Sequence, residues 1–201
     1  MEENMFPIIL DLTNMNIALV GGGEVALQRL REMDAAGVRY VRAFADNFGK
    51  EFWDTAGDRL TTRMPNEEEL KKFQAVVIVD VPMNTATKIA KMAKNVGVMV
   101  NAEDNKYISD FFYPSILRRG DLVITVNTTG RCHVLSRRIK NIIGKIFHKG
   151  WTDKVEEIAL KRAQWDDIGL NRKEIDEMSD KYISEKGWLD YEELAGKKEE
   201  T

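Results

Sequence analysis

Ile17-Ala18-Leu19-Val20 runs straight into Gly21-Gly22-Gly23, and a helical pattern starts at once. Val25, Ala26, Leu30, Met33 and Ala36 recur at three- and four-residue intervals, the period of an amphipathic helix. The stretch reads as strand, tight glycine turn and helix. Gly21, Gly23 and Ala26 fit the G-x-G-x-x-G/A dinucleotide fingerprint. In that reading Gly21 permits the turn, Gly23 lets backbone approach a pyrophosphate, and Ala26 lets the helix pack close to the strand. The free N–H groups and positive dipole end of the helix then face the phosphates. A glycine-rich turn in another kind of α/β protein is the competing reading.

The rest of the N-terminal half repeats this alternation. Met5 to Leu12 is apolar and extended, and its place is against the first strand or at a sheet edge. Gly37 is placed to end the first helix. Strands are expected at Tyr40 to Ala45, Leu60 to Arg63, Ala75 to Val79 and Val98 to Asn101. Helices are expected at Phe48 to Ala56, after Asn66, and from Asn84 to Asn95. Short connections and alternating periods argue for a Rossmann-like doubly wound parallel sheet in an α/β protein.

The pattern then changes. Phe111 to Tyr113 and Leu122 to Val126 look strand-like, joined through Ser115 to Asp121. A helix follows with Leu135, Ile139, Ile142, Ile143 and Ile146 on one face, a stripe suited to subunit packing. Helical patterns continue around Trp151 to Trp165, Asn171 to Ser184 and Leu189 to Leu194. The expected division is a cofactor-binding domain over 1–110, a dimerisation region over 111–147, and a small helical domain with a polar tail over 148–201.

Composition limits the function classes. The 201 residues carry a net charge of −3, so nothing global points to nucleic acid or a membrane surface. No apolar run approaches the roughly 18 residues of a membrane span. A single cysteine, Cys132, suits a reducing cytoplasm, and the two histidines leave little for a conventional zinc site, so no resident metal is expected.

Several polar residues fall where strand ends should present them to a ligand. Asp46 ends the second strand about 25 residues after Gly21 and is a candidate for an adenosine ribose; capping the next helix is its alternative. Asp80 follows the Ala75–Val79 strand and is a candidate cofactor contact. Asn101 and Asp104 follow the fifth strand, where Asp104 could take a proton or orient a substrate N–H, or simply be a solvated loop acid. Arg118, Arg119, Arg131, His133, Arg137 and Arg138 form a local excess of cations suited to a small polyanion. Thr128, Thr129 and Gly130 sit where a helix begins, a place for anion binding or plain capping. Cys132 beside His133 makes no catalytic pair, because helix neighbours point apart.

Four anchors in order make a more specific pattern. They are Phe6-Pro7-Ile8 to Leu12 with Val20 to Ala26; Val100-Asn101-Ala102-Glu103-Asp104; Phe111 to Ile116 running on to Leu122; and Asn127-Thr128-Thr129-Gly130-Arg131-Cys132-His133 to Arg137. Over Phe6 to Phe147 the chain resembles the precorrin-2 dehydrogenase module of siroheme synthases, a family that includes stand-alone bacterial forms and a bifunctional yeast dehydrogenase/ferrochelatase. The resemblance implies NAD-dependent oxidation of precorrin-2 to sirohydrochlorin, with Fe²⁺ insertion in some members, by a cytoplasmic homodimer. It implies Asp104 as the catalytic carboxylate and NAD held at Gly21, Gly22, Gly23, Glu24, Val25, Asp46 and Asp80. It implies a tetrapyrrole with eight carboxylates held near Asn101, Thr128, Gly130, Arg131, His133 and Arg137.

Two turns depart from the family pattern. Thr129 stands where the family has the first of two glycines, and Cys132-His133 replace Ser-Pro. Asp80-Val81-Pro82 replaces a Thr-Asp/Asn-Asp/Asn loop, and Pro82 lacks an N–H. A diverged protein that binds NAD or a tetrapyrrole without turnover is the alternative these changes raise.

Overall fold

A computed structural model describes residues 5–103 and 105–190. The chain divides into two compact units, Met1–Tyr113 and Pro114–Thr201.

The first unit is built on five parallel strands: β1 (Asn16–Val20), β2 (Tyr40–Phe44), β3 (Leu60–Thr61), β4 (Ala75–Ile78) and β5 (Met99–Ala102). Their order across the sheet is β3-β2-β1-β4-β5. The chain thus winds outward from β1 in one direction, returns to β4, and winds outward in the other. The switch point lies between β1 and β4, where doubly wound sheets bind ligands. Register follows directly: Ile17 opposes Val41 and Ala75, and Val20 opposes Phe44 and Ile78. The central strands are buried on both faces, which is why they read as unbroken apolar runs.

Helix α1 (Glu24–Ala35) buries Ala26, Leu27, Leu30 and Met33, and it shares one core layer with Leu19, Val77, Phe48 and Phe52. Helix α4 (Met83–Asn95) covers the other face through Ala86, Ile89, Ala90 and Ala93, packed with Val20, Val76 and Val100. Gly37 takes φ +76° just past α1, the left-handed conformation expected of a helix-ending glycine. Helix α2 (Lys50–Ala56) begins two residues later than Phe48, with Gly49 as its N-cap, so Asp46 does not cap it.

Two expectations fail at the margins of this unit. Residues 5–12 join no strand; Phe6 and Ile9 are largely exposed, while Leu12 packs on the core. Phe111 to Tyr113 is not a strand, because the outer edge of β5 is already satisfied by the side chains of Ser109 and Asp110 and by the Asp110 N–H, which donates to the Val100 carbonyl at 2.6 Å. Asp110 Oδ2 accepts the Val100 N–H at 3.0 Å, Ser109 Oγ accepts the Ala102 N–H at 2.9 Å, and the Asn101 amide donates to the Phe111 carbonyl at 2.8 Å. Lys94 pairs with Asp110 at 2.7 Å. The edge is closed without a sixth strand.

In the second unit the strands are β6 (Ser115–Arg119) and β7 (Leu122–Val126), an antiparallel hairpin. Sequence reading placed Ser115 to Asp121 as a connection, yet five of those residues form the strand and only Gly120-Asp121 turns. Gly120 has φ +58° as first residue of that two-residue loop, which matches the right-handed twist of the strands. Helices α5 (His133–Ile146), α6 (Trp151–Asp167) and α7 (Arg172–Glu185) follow. Trp151 and Trp188 are buried, the Phe147 ring packs tilted against Trp151, and Tyr182 meets both Trp165 and Trp188 edge-on. Asn171 and Glu174 form a reciprocal capping box that starts α7. The helix expected over Leu189 to Leu194 lies mostly outside the described residues. Among the described residues no helix is long and apolar enough to cross a membrane.

The short helix α3 (Glu67–Leu70) places the fully buried Leu70 in the core and depends on its N-terminus. Asn66 and Glu69 cap it reciprocally, and Arg63 grips Glu69 with both nitrogens at 2.7 Å. The Arg63 bond, then the Asn66 N–H, holds the Glu69 carboxyl down at about 2. A depressed carboxyl contributes stability above its unfolded pKa, and that stability is lost as pH falls through its folded one. Wild type should therefore lose stability between about pH 4.5 and about 2 in denaturant titrations. Glu69→Gln, which keeps the cap, should flatten that limb and cost about 1 kcal/mol at neutral pH.

Candidate functional site

The turn between β1 and α1 has no room for side chains. Gly21 has φ +137°, and a Cβ there would lie 2.1 Å from the Val79 carbonyl oxygen. A Cβ on Gly22 would lie 2.1 Å from the Asn47 carbonyl oxygen, at the loop after β2. A Cβ on Gly23 would lie 2.6 Å from Asp80 Oδ2, at the loop after β4. The Gly21 N–H donates to the Phe44 carbonyl at 2.8 Å, and the Val79 N–H to the Val20 carbonyl at 2.9 Å. The turn is wedged between the C-terminal ends of β2 and β4, the neighbours of β1 on either side. The middle glycine, to which the fingerprint gives no role, is as tightly enclosed as the other two. Three glycines in a row were the signal for it.

This wedge aims the start of α1 at the ligand edge of the sheet. Gly23, the N-cap, offers no side chain to the first turn. Of the N–H groups a helix start leaves unpaired, that of Ala26 is taken by Asp80 Oδ2 at 2.8 Å. Those of Glu24 and Val25 lie ahead of it, and no described group bonds them. Ala26 itself is fully buried, as close helix–strand packing requires. The glycine cradle and two open N–H groups fit a dinucleotide pyrophosphate. Asp46 is exposed directly before Asn47, whose carbonyl faces Gly22. The Arg42 guanidinium donates to the Asp58 carbonyl at 2.7 Å.

At the end of β5, Asn101 is buried, and its amide is the tie to Phe111 already described. Asp104 lies outside the described residues. Its neighbour Glu103 anchors through its N–H to the Ile78 carbonyl at 3.0 Å and through Oε1 to Arg29 at 2.9 Å. Arg29 also holds Glu32 at 2.6 Å and lies 4.6 Å over the Tyr113 ring. Burial pushes the Tyr113 hydroxyl up to about 12. Sequence reading missed this cluster, since Arg29 on an amphipathic helix carries no local signal.

The remaining candidates belong to the second unit. Thr128 Oγ1 accepts the Cys132 N–H at 3.0 Å, and the Arg131 N–H donates to the Thr128 carbonyl at 3.0 Å. Cys132 is the N-cap of α5, so neither threonine is. Thr129 has φ +53° and Gly130 φ +74°. Arg131, His133 and Arg137 are exposed, with His133 and Arg137 one turn apart on α5. Arg119 is committed elsewhere: it donates to the carbonyls of Phe147, Arg118 and Gly144, closing the C-terminal end of α5. Among the described residues no group of three or more His, Cys, Asp or Glu could hold a metal ion.

Two substitutions test this geometry. Gly22→Ala should cost about 3 kcal/mol or more, because the obstruction is backbone, whereas Gly49→Ala, in open space at φ −67°, should stay within about 1 kcal/mol. Chemical denaturation of the two variants makes the comparison. Thr129→Gly should stabilise the protein by about 1 kcal/mol, since a β-branched residue is strained in a left-handed conformation.

Comparison with known proteins agrees with this geometry. Residues 8–115, more than half of the chain, match a family model described as "Putative NAD(P)-binding". A siroheme synthase of Methylococcus capsulatus is 30% identical over 139 residues, covering 68% of this chain and 29% of that protein. A siroheme synthase of Ectopseudomonas mendocina is 27% identical over 179 residues, covering 81% of this chain and 38% of that protein. The chain spans about a third of the length of these curated relatives. Among solved structures, the precorrin-2 dehydrogenase SirC superposes with a TM-score of 0.75 at 20% identity, over 95% of this chain and 96% of its own, a likeness of fold. The chain belongs to the NAD(P)-binding family of the siroheme synthases, as its four sequence anchors imply.

Proposed function

We propose that this chain oxidises precorrin-2 to sirohydrochlorin with NAD⁺ as acceptor. The observation that carries the reading is the three-glycine cradle opening onto the Glu24 and Val25 N–H groups in a chain of this family. The match to siroheme synthases and the SirC-like fold support the substrate class. Arg42, turned to Asp58, supports NAD over a cofactor with an added 2′-phosphate, and exposed Asp46 suits a free ribose hydroxyl.

The oxidation removes a hydride and a proton from the macrocycle; NAD⁺ held at the glycine turn and the Glu24 and Val25 N–H groups would supply the hydride acceptor. The chain supplies the rest. Asp104 is the proton acceptor, on the residue directly after anchored Glu103. Arg131, His133 and Arg137 offer donors and positive charge for substrate carboxylates, and the Thr128–Gly130 turn adds polar groups beside them.

The working form is a cytoplasmic homodimer. Helix α5 buries only Ser136 within the chain and leaves Leu135, Ile139 and Ile142 exposed on one side, a stripe suited to a second copy.

Anaerobic incubation with freshly made precorrin-2 and NAD⁺ tests the function. NADH absorbance and the sirohydrochlorin spectrum should grow together, and a parallel arm with Fe²⁺ reads metal insertion above the spontaneous rate. Asp104→Ala should lower kcat by about a hundredfold or more while NAD affinity stays within a few fold. Tetrapyrrole binding with no NADH formed by the wild-type protein would instead establish a binding role.

A further inference from the structure

Asp80 is unusual in three ways at once. It is a non-glycine residue at φ +53°. Its carboxylate occupies the N-terminus of α1 on the Ala26 N–H. It fills the space that a Cβ on Gly23 would enter, at 2.6 Å. In the dinucleotide fingerprint that same missing Cβ admits the pyrophosphate. Here the protein's own anion stands beside the path.

We propose that Asp80 competes with the cofactor's pyrophosphate for the positive end of α1 and so sets how tightly this chain holds NAD(H). The proposal rests on the glycine turn being the dinucleotide site. The end of a helix carries only about half a positive charge, and two anions must share it. Asp80 takes the third N–H of the helix and leaves those of Glu24 and Val25. A phosphate entering over Gly23 meets Asp80 Oδ2 and is repelled, or displaces it and breaks its bond to Ala26. Either way part of the binding free energy is lost. Glu24, in the first turn, adds a second negative charge at this end, and no basic residue lies in that turn to offset the two. Asp80 is exposed, so its charge reaches an incoming ligand. For an enzyme that must exchange reduced for oxidised cofactor at every turnover, weak holding favours release. Asp80 is a positioning residue for the turn and a determinant of cofactor affinity.

The test uses the intact chain, with NADH titrated by fluorescence and ADP-ribose by calorimetry. Asp80→Asn keeps an oxygen acceptor for Ala26, tolerates the left-handed backbone and removes the charge. It should bind both ligands about two- to fivefold tighter while its unfolding midpoint falls slightly. The gain should shrink at high salt. A purely structural cap cannot produce those opposite signs. Asp80→Gly, uncharged and free at positive φ, should also tighten binding, and it stands in if the asparagine variant does not fold. Unchanged or weaker binding by a folded variant would overturn the proposal, making Asp80 a cap or a direct cofactor holder. If the wild-type protein and both variants bind neither NADH nor ADP-ribose, the dinucleotide reading falls and this proposal with it.

Discussion

The backbone after β1 passes so close to the carbonyl oxygens of Val79 and Asn47 that no Cβ fits between them. Cβ positions 2.1 Å from those oxygens cannot be relieved by a rotamer change, because the obstructing atoms are main chain. Only glycine passes between the ends of β2 and β4. The consequences are ordered. The turn can be short because it is wedged, α1 can start immediately because the turn is short, and the open N–H groups face the sheet's ligand edge because α1 starts there. Ala26, fully buried, then brings the helix down onto the sheet. A larger residue anywhere in this stretch would move the helix start, and with it the open N–H groups of Glu24 and Val25.

The fold was legible where burial left one choice. β1 and β4 are mostly apolar, β2 and β5 each carry one polar residue inside the strand, and the ends of all four were read to within a residue or two. β3, only Leu60–Thr61, was read two residues too long, because an edge strand this short has almost no pattern. The misreadings at Phe111 and Ser115 share a cause. Phe-Phe-Tyr has strand propensity, but a strand needs an open edge, and Asp110 and Ser109 had closed that of β5. Ser115–Arg119 hid behind two consecutive arginines that looked like a connection. Alternation places Leu117 inside and Arg118 outside, while Arg119 bonds the end of α5.

The candidate site was legible in its position and less so in its orientations. Sequence placed Asp46, Asp80 and Asn101 after strands; Asp46 and Asp80 do follow β2 and β4, whereas Asn101 lies inside β5. It did not show which way each polar group turns. Asp46 stays exposed, Asp80 turns its carboxylate to the Ala26 N–H, and Asn101 is buried with its amide on a carbonyl. A buried polar group must find a partner, and the nearest unpaired backbone group is usually part of the protein. The same rule assigns Arg119 to the carbonyls of α5 and leaves Arg131 and Arg137 as exposed donors. No local pattern in a single sequence separates an arginine that serves a ligand from one that closes a helix.

The two turns that depart from the family pattern are also the only places where non-glycine residues adopt positive φ among the described residues, Asp80 and Thr129. Each such residue costs of order 1–3 kcal/mol and persists only where its surroundings hold it. Asp80 is held by its bond to Ala26. Thr129 is held by the Asn127 side chain on its N–H at 2.8 Å and by its own hydroxyl on the Thr128 carbonyl at 2.8 Å. Position 129 is thus left-handed although a threonine occupies it. What changed is the surface: a threonine methyl and a bound hydroxyl where glycine would leave bare backbone. At Asp80 the change is one of charge on the helix end. Both turns hold a left-handed residue by local hydrogen bonds while presenting a carboxylate at one and a threonine side chain at the other, so these substitutions bear on the groups a ligand would meet rather than on the fold.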